Sequence, residues 1–390
     1  MSDADSEQYS KLRWLLTAAG LVLYVGDMWT DIGVGLKYFQ EEQYVWSGLT
    51  LMFVLSGLFV TQIFSCVWYW EDMNDPLLNP EGKLTILGLS KRGLAVLHVF
   101  GMGIFTRYYD LLTKGYRFVW SRSDSCKTEK MGHKLFCMAA DLSMLKLFES
   151  FLESVPQLLL QLYVLLSHDE FSCIQYLSVT FSFFNASWAL VDYRRCLRRS
   201  LPHVKEMPSG FPTAVYLLYK LCSITSHLLS YSFLLILSLY TTVGLTVIWL
   251  GATIWTHLIP TNFCSSRLLE LLYRAVTGVI FIFTFFNVKG QDTKIPMTIY
   301  YIFYCVVNAA SLVLVVFLKP ELLLSTFALV SCGLIIGSTL LGMLCLVSYY
   351  LCLHEGGYKL EEDEMDGPVL KVSNKSSNVF STRVKILYTL

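Results

Sequence analysis

Charge is what this chain has least of. Only 15% of its 390 residues are Asp, Glu, Lys or Arg, where a soluble domain carries about 25%. Neither sign prevails. Thirty basic side chains face thirty acidic ones, so net charge argues neither for nor against nucleic acid. Catalytic signatures are missing as well. There is no HExxH, no GxSxG, no P-loop and no Rossmann glycine pattern, so the chain is not expected to be an enzyme. No CxxC pair or Cys/His cluster suggests zinc. The eleven cysteines are an odd number, so at least one is unpaired. Most lie in apolar stretches (Cys66, Cys173, Cys222, Cys305, Cys332, Cys345), where a small buried apolar residue is the ordinary reading. The polar, acidic start, Met1 to Lys11, does not read as a signal peptide.

What is present is apolar. Hydrophobic residues make up 54% of the chain, and the mean hydropathy is +0.52. Long apolar tracts alternate with short polar ones, which excludes a soluble enzyme, a DNA-binding domain and a disordered chain. The tracts run over 14–38, 44–70, 84–106, 135–166, 171–193, 211–237, 238–258, 267–287, 296–318 and 322–352. At ~20 residues per spanning helix, this length accommodates eight to ten membrane segments. Helices are the expected form, because an open sheet edge cannot be satisfied in hydrocarbon. A barrel needs strict alternation, and Leu158-Leu159-Leu160 and Leu234-Leu235-Ile236-Leu237 show none.

Basic residues set the expected orientation. The stretch 107–134 holds Arg107, Lys114, Arg117, Arg122, Lys127, Lys130 and Lys134, and the stretch 194–205 holds Arg194, Arg195, Arg198, Arg199 and Lys205. Both read as cytoplasmic. The connectors 40–43 and 167–170 lack Lys and Arg and read as outside. Tract 84–106 lies between two cytoplasmic stretches, so it is expected to enter and leave on one side. For both termini to be cytoplasmic, a tract of the second half must do the same. The expected fold is therefore an all-α, polytopic membrane helix bundle. It has about eight transmembrane helices plus two partial, re-entrant ones, in two pseudo-repeated halves, 1–205 and 206–352. A cytoplasmic tail, 353–390, follows.

Several charges sit where they are costly. A charge at mid-membrane costs about 2.5–3.5 kcal/mol on insertion scales. Asp27 and Asp31 share one helix face of the first tract. Tract 135–166 carries Asp141, Lys146, Glu149, Glu153, Gln157 and Gln161. On a straight helix, Lys146, Glu149, Glu153 and Gln157 fall within a sector of about 80°. From Asp141 to Gln161 is roughly 30 Å of helix, about the hydrocarbon thickness. Pro156 removes a backbone bond within this ladder and is expected to kink it, exposing a carbonyl. Asp192 and Arg195 close the fifth tract, Lys220 and His227 share a face of the sixth, and Arg267, Glu270 and Arg274 form a further set.

Two readings compete. Acids and bases can pair across helices and lock the bundle, which suits Arg267, Glu270 and Arg274 well. A membrane-deep stripe with acids in excess suits a hydrophilic path for something both positive and negative, such as a phospholipid headgroup. A transporter of a small zwitterionic solute also fits, although it more typically shows broken helix pairs around a compact site. Asp31, Glu149 and Glu153 admit one metal reading, a calcium site; otherwise no metal and no cofactor is expected.

Three stretches carry a resemblance. They are Asp141-Leu-Ser-Met-Leu-Lys-Leu-Phe-Glu-Ser-Phe-Leu-Glu-Ser-Val-Pro-Gln157, Ser187-Trp-Ala-Leu-Val-Asp-Tyr-Arg-Arg-Cys-Leu-Arg-Arg-Ser-Leu-Pro202 and Phe283-Thr-Phe-Phe-Asn-Val-Lys-Gly-Gln-Asp-Thr-Lys294. With Asp27 and Asp31, they resemble the XK-related membrane proteins over roughly 11–352. The resemblance implies a phospholipid scramblase of the plasma membrane that lets lipids such as phosphatidylserine cross between leaflets. It also implies a polar lipid pathway through Asp27, Asp31, Asp141, Lys146, Glu149, Glu153, Asp192 and Arg195. His227 sits where some relatives have Arg, so its charge would depend on pH. Trp46, at the outer end of the second tract, is a candidate outer gate, with anchoring at the interface as the plainer reading. The founding XK protein is implied to be a non-catalytic partner of another protein, so that reading stays open too.

The tail carries a motif of its own. Asp363-Glu364-Met365-Asp366-Gly367 is an executioner-caspase pattern of the DExD type, with cleavage expected after Asp366. Beyond it, Val379, Phe380, Val384 and Leu387 fall mostly on one helix face. In the family's caspase-activated branch, the resemblance implies that cutting the tail switches scrambling on. The helix is thus expected to be inhibitory. Phospholipids and an executioner caspase are the expected partners, a single-span membrane subunit stays open as a third, and nucleic acid is not expected.

Overall fold

A computed structural model describes residues 9–74, 88–120, 125–167, 173–200, 210–258, 263–264, 266–286 and 294–353. The secondary structure of these residues is helical. In chain order the helices are α1 (Lys11–Gln40), α2 (Tyr44–Asn74), α3 (Lys91–Val99), α4 (Gly103–Trp120) and α5 (Ser125–Glu149). A π-helical turn, Ser150–Ser154, leads into α6 (Val155–Ser167). Then follow α7 (Cys173–Ser200), α8 (Phe211–Leu237), α9 (Thr241–Leu258), α10 (Arg267–Phe283), α11 (Lys294–Leu318) and α12 (Thr326–Ser348). Among the described residues, five helices are long and apolar enough to cross a bilayer: Lys11–Gln40, Tyr44–Asn74, Phe211–Leu237, Ile295–Leu318 and Thr326–Cys352. The apolar tracts of the sequence thus become helices, as a multi-pass membrane protein requires. The chain divides into two compact units, Met1–Glu153 and Ser154–Leu390.

In the first unit, α1 packs on α2 and α4, and α5 packs on the same pair. The core is aromatic: Phe64 of α2 meets Trp68 at 5.6 Å and Phe148 of α5 at 5.0 Å between ring centroids. Tyr24 of α1 meets Phe105 and Tyr108 of α4. Helix α3 has nine residues, about 14 Å, which is far short of the hydrocarbon thickness. It is followed at once by α4, and the join is tight. Gly101 takes φ +76°, a conformation that favours glycine. The Gln62 amide of α2 clamps the turn from both sides. Its Nε2 donates to the Gly101 carbonyl at 3.1 Å, and the Gly103 N–H donates to its Oε1 at 2.8 Å.

Where basic residues suggested a connector, there is helix. α4 runs on to Trp120, and α5 begins at Ser125. The charges hid an amphipathic pattern. Ile104, Arg107, Tyr108, Leu111 and Gly115 are buried together on one face of α4, at helical spacing. Trp14 of α1 donates its indole N–H to the Leu112 carbonyl at 2.9 Å, tying the same face down.

The second unit is built around α8, which packs against α6, α7, α11 and α12. It is buried on nearly every side, and its sequence accommodates this with small hydroxyl residues. Ser226 and Ser232 return their hydroxyls to the carbonyls four residues back, at 2.9 and 2.8 Å, which satisfies them in apolar surroundings. Tyr216, Tyr219, Tyr301, Tyr304 and Tyr349 form the core beside it. Lys220, also buried, donates to the Phe285 carbonyl at 3.0 Å and lies 3.3 Å from Thr284 Oγ1. The ammonium thus sits at the carboxyl end of α10, where a helix favours a cation. Glu270 of α10 accepts from the Cys264 N–H at 2.8 Å and pairs with Arg274 at 3.4 Å, while Arg267 is exposed. This set is a local lock.

The clamp on the α3–α4 turn makes a first prediction. A Cβ on Gly103 would collide with Gln62 Oε1 and lie 2.6 Å from the His98 ring. Gly103→Ala is expected to destabilise the detergent-solubilised protein by about 1–3 kcal/mol, the range of core overpacking. Thermal unfolding checks it, and an unchanged midpoint counts against the clamp.

Candidate functional site

The site begins at a break in a helix. After Glu149 the chain leaves α-helical register for the turn Ser150–Ser154 and regains it at Val155. Pro156 gives the reason. In an α-helix the Leu152 carbonyl would take its bond from the N–H of residue 156, and proline has none. The Ser56 hydroxyl of α2 reaches across to that carbonyl at 3.1 Å, sharing its proton with the Phe53 carbonyl at 2.9 Å. The turn also adds a residue to the period. Straight-helix arithmetic therefore does not carry through from Glu149 to Gln157.

Around this turn the first unit gathers charge. Glu149 and Glu153 are buried, at 5% and 4% exposure. Lys146 Nζ donates to Glu149 Oε2 at 3.0 Å and lies over the Tyr24 ring at 4.6 Å, a favourable cation–π distance. Glu153 lies within the fields of Glu149, Asp31, Asp27 and Lys146. Asp31 is buried on α1, and Asp27, one turn earlier, is half-buried. The groups that act on Glu153 thus include three further acidic side chains and the Lys146 amine. Among the described residues, no group of three or more His, Cys, Asp and Glu is arranged to hold a metal ion. The calcium reading of Asp31, Glu149 and Glu153 therefore gains no support.

Asp141 belongs to a different system. Its Oδ2 accepts from Arg107 of α4 at 2.9 Å. The Arg107 guanidinium is spent entirely inside the unit. It donates to the Ser65 hydroxyl and carbonyl, both at 3.1 Å, and stacks over Tyr69 at 3.9 Å. His98 joins the same hydroxyl at 3.0 Å, and its other ring nitrogen lies 2.8 Å from the Leu94 carbonyl. One acid meets one base here, with hydrogen bonds to spare. In the sequence Arg107 reads only as part of a cytoplasmic basic stretch, and the buried face of α4 reveals its partner.

The second unit does not gather its candidates. His227 is fully buried on α8, between the rings of Tyr231 at 4.3 Å and Tyr304 at 5.2 Å. Asn308 Nδ2 donates to Thr339 at 3.0 Å, leaving its Oδ1 to accept from His227 Nδ1 at 3.3 Å. Asp192 and Arg195 are half-buried on α7, and Asp192 lies 3.8 Å from Cys196 Sγ. The most deeply buried arginine of α7 is Arg194, one residue earlier, stacked over Tyr216 at 4.5 Å and Tyr349 at 5.9 Å, and Arg198 is buried as well. Reading the arginine run as one cytoplasmic block missed it. Trp46 is half-buried in the first turn of α2. Next to it, Ser47 donates to the Gly35 carbonyl at 2.8 Å. Asp363, Glu364, Asp366 and Gly367, and the tail residues Val379, Phe380, Val384 and Leu387, lie outside the described residues.

Relatives bear on this arrangement. Residues 15–355 match the XK-related protein family. The chain belongs to the XK-related family. It is 53% identical over 369 residues to XK-related protein 9 of Tetraodon nigroviridis, covering 94% of this chain and 97% of that one. XK-related protein 8 of the same fish is 31% identical, over 89% of this chain and 84% of its own. XK-related protein 8 of Gasterosteus aculeatus is 28% identical, over 91% and 87%. The family match spans both the acidic cluster and the Arg107–Asp141 pair.

The two polar systems predict different responses. Arg107→Met strands the largely buried Asp141 carboxylate, and is expected to cost about 3 kcal/mol in unfolding experiments. Adding Asp141→Asn should recover part of that loss. Equal stability of the single and double variants would mean the pair is not coupled.

Proposed function

We propose that this protein is a phospholipid scramblase of the plasma membrane, held inactive by its tail and released when an executioner caspase cuts after Asp366. Headgroups follow the acidic seam while the tails stay in lipid. The proposed topology has about eight spans, with the α3–α4 hairpin re-entrant and both termini cytoplasmic.

One observation carries the reading: the buried Glu153 lies within the fields of three other acidic side chains, Glu149, Asp31 and Asp27, as well as that of Lys146. A structural lock needs one base for each acid, as Arg107 and Asp141 provide. Such an acidic neighbourhood suits a cation, and an ammonium or choline headgroup supplies one, its phosphate turning to Lys146. The membership of the XK-related family agrees with this. Glu149 and Glu153 are nearly inaccessible, so this arrangement is the closed one. The inhibitory contacts are made by the tail helix through Val379, Phe380, Val384 and Leu387. Their loss shifts the population toward an open state. Trp46 gates the outer mouth, and Asp192, Arg195 and His227 are the further headgroup contacts of this reading.

Purified protein in liposomes with a fluorescently labelled phospholipid decides the matter. The full chain is expected to be quiescent, and the chain cleaved after Asp366, or ended there, to scramble. Asp366→Ala should stay quiescent after caspase treatment. A cleaved protein that moves no lipid overturns the scramblase reading. Solute uptake by the same vesicles would then favour the transporter, and neither activity a non-catalytic partner.

A further inference from the structure

We propose that Gly57 of α2 is the seat of the Glu153 carboxylate, a positioning residue that holds this acid where a headgroup would meet it. The inference rests on the scramblase reading and adds to it a residue that carries no charge.

Glycine in mid-helix is a cost relative to alanine, so one that persists there needs a reason. Gly48, on the same helix, has nothing within 4 Å of the place a Cβ would take. Gly57 is the opposite case. A Cβ there would lie 2.8 Å from Glu153 Oε2, 3.0 Å from Glu153 Cβ and 3.7 Å from the Glu149 carbonyl. The first contact is with the carboxylate itself. The second is with an atom fixed to the backbone of the π-helical turn, which cannot swing away. The residue before Gly57 holds the same turn by other means, since Ser56 donates to the Leu152 carbonyl. Two consecutive residues of α2 thus fix the residue preceding Glu153 and the place of its carboxylate. Ser56 does so with a hydrogen bond, and Gly57 by the absence of a side chain. The Gly57 carbonyl is itself tied down, accepting from Thr61 at 2.9 Å.

A double-mutant cycle on the full chain tests this, using Gly57→Ala, Glu153→Asp and both together. Glu153→Asp shortens the side chain by one methylene, which withdraws the carboxylate from an added Cβ and leaves the contact with the Glu153 Cβ in place. After caspase cleavage in liposomes of phosphatidylcholine and phosphatidylserine, Gly57→Ala is expected to slow scrambling by about tenfold, as overpacking displaces the acid. In the Glu153→Asp background the same change should slow it by a clearly smaller factor, because the carboxylate contact is gone and only the Cβ contact is left. A harmless Gly57→Ala, or an equal loss in both backgrounds, overturns the seat. The same cycle is run on thermal unfolding, which needs no activity. Gly57→Ala should lower the midpoint more beside Glu153 than beside the shortened side chain, and additive shifts overturn the proposal. Should Gly57→Ala aggregate, the double variant is expected to aggregate less, and equal aggregation of the two counts against the seat. Silence of the cleaved wild-type chain refutes scrambling alone, and the thermal cycle still decides the seat.

Discussion

Everything distinctive here follows from one constraint: polar groups removed from water must find their partners inside the protein. The break at Ser150–Ser154 is where that constraint bears hardest. Pro156 takes away a backbone donor, two glutamates are buried within one turn of each other, and the surroundings are apolar. The resolution is local. Ser56 supplies the donor that proline lacks, Lys146 meets Glu149, and Gly57 makes room for Glu153. Remove any of these and a carbonyl or a carboxylate is left facing hydrocarbon. The turn is thus stabilised from α2 as much as from its own helix. This is why an irregular segment can persist in the middle of an apolar tract.

The first unit solves the same problem twice, with opposite stoichiometry. Arg107 and Asp141 match charge for charge, and the guanidinium has further acceptors in Ser65. Such a system is complete, and it gains nothing from a visitor. It also joins α2, α4 and α5, while His98 adds α3 through the same serine. Its contribution is to fix four helices against one another. The acidic cluster differs, since Glu153 lies among more acidic than basic side chains. On the scramblase reading the two systems divide the work: the Arg107–Asp141 frame keeps the geometry, and the acidic cluster meets the headgroup.

Much of the helical architecture is legible in the sequence, because apolar tract length and the ban on unpaired backbone leave few alternatives. The tracts 44–70 and 211–237 correspond to α2 and α8 nearly residue for residue. Legibility fails where charge and burial part company. Arg107 and Arg194 each belong to a basic stretch that reads as cytoplasmic, yet both are buried on aromatic faces. A run of arginines fixes which side of a membrane a segment lies on, and says nothing about which member turns inward. The acidic residues themselves were visible, since a carboxylate in an apolar tract has no inconspicuous explanation. Their seat was not. Ser56 and Gly57 look like ordinary small residues of a membrane helix, and only the path of the π-helical turn gives them a role. The turn in turn escapes a periodicity argument, because such an argument assumes the regular helix that Pro156 interrupts.

The excess of acid also constrains how a path could open. Glu149 has its own ammonium at 3.0 Å, whereas Glu153 faces α2 beside a glycine. The two acids are therefore not equivalent: one is compensated in the closed arrangement, and the other depends on space and distant charge. A cation entering the cluster gains most at Glu153, and it need not break the Lys146–Glu149 pair to do so. On the scramblase reading, a zwitterionic headgroup meets its acid first and its base one turn away, without either end waiting on the other. That order costs less than a path in which a salt bridge must break before any lipid can bind. It makes the unpaired acid, rather than the paired one, the point at which the closed state is easiest to disturb.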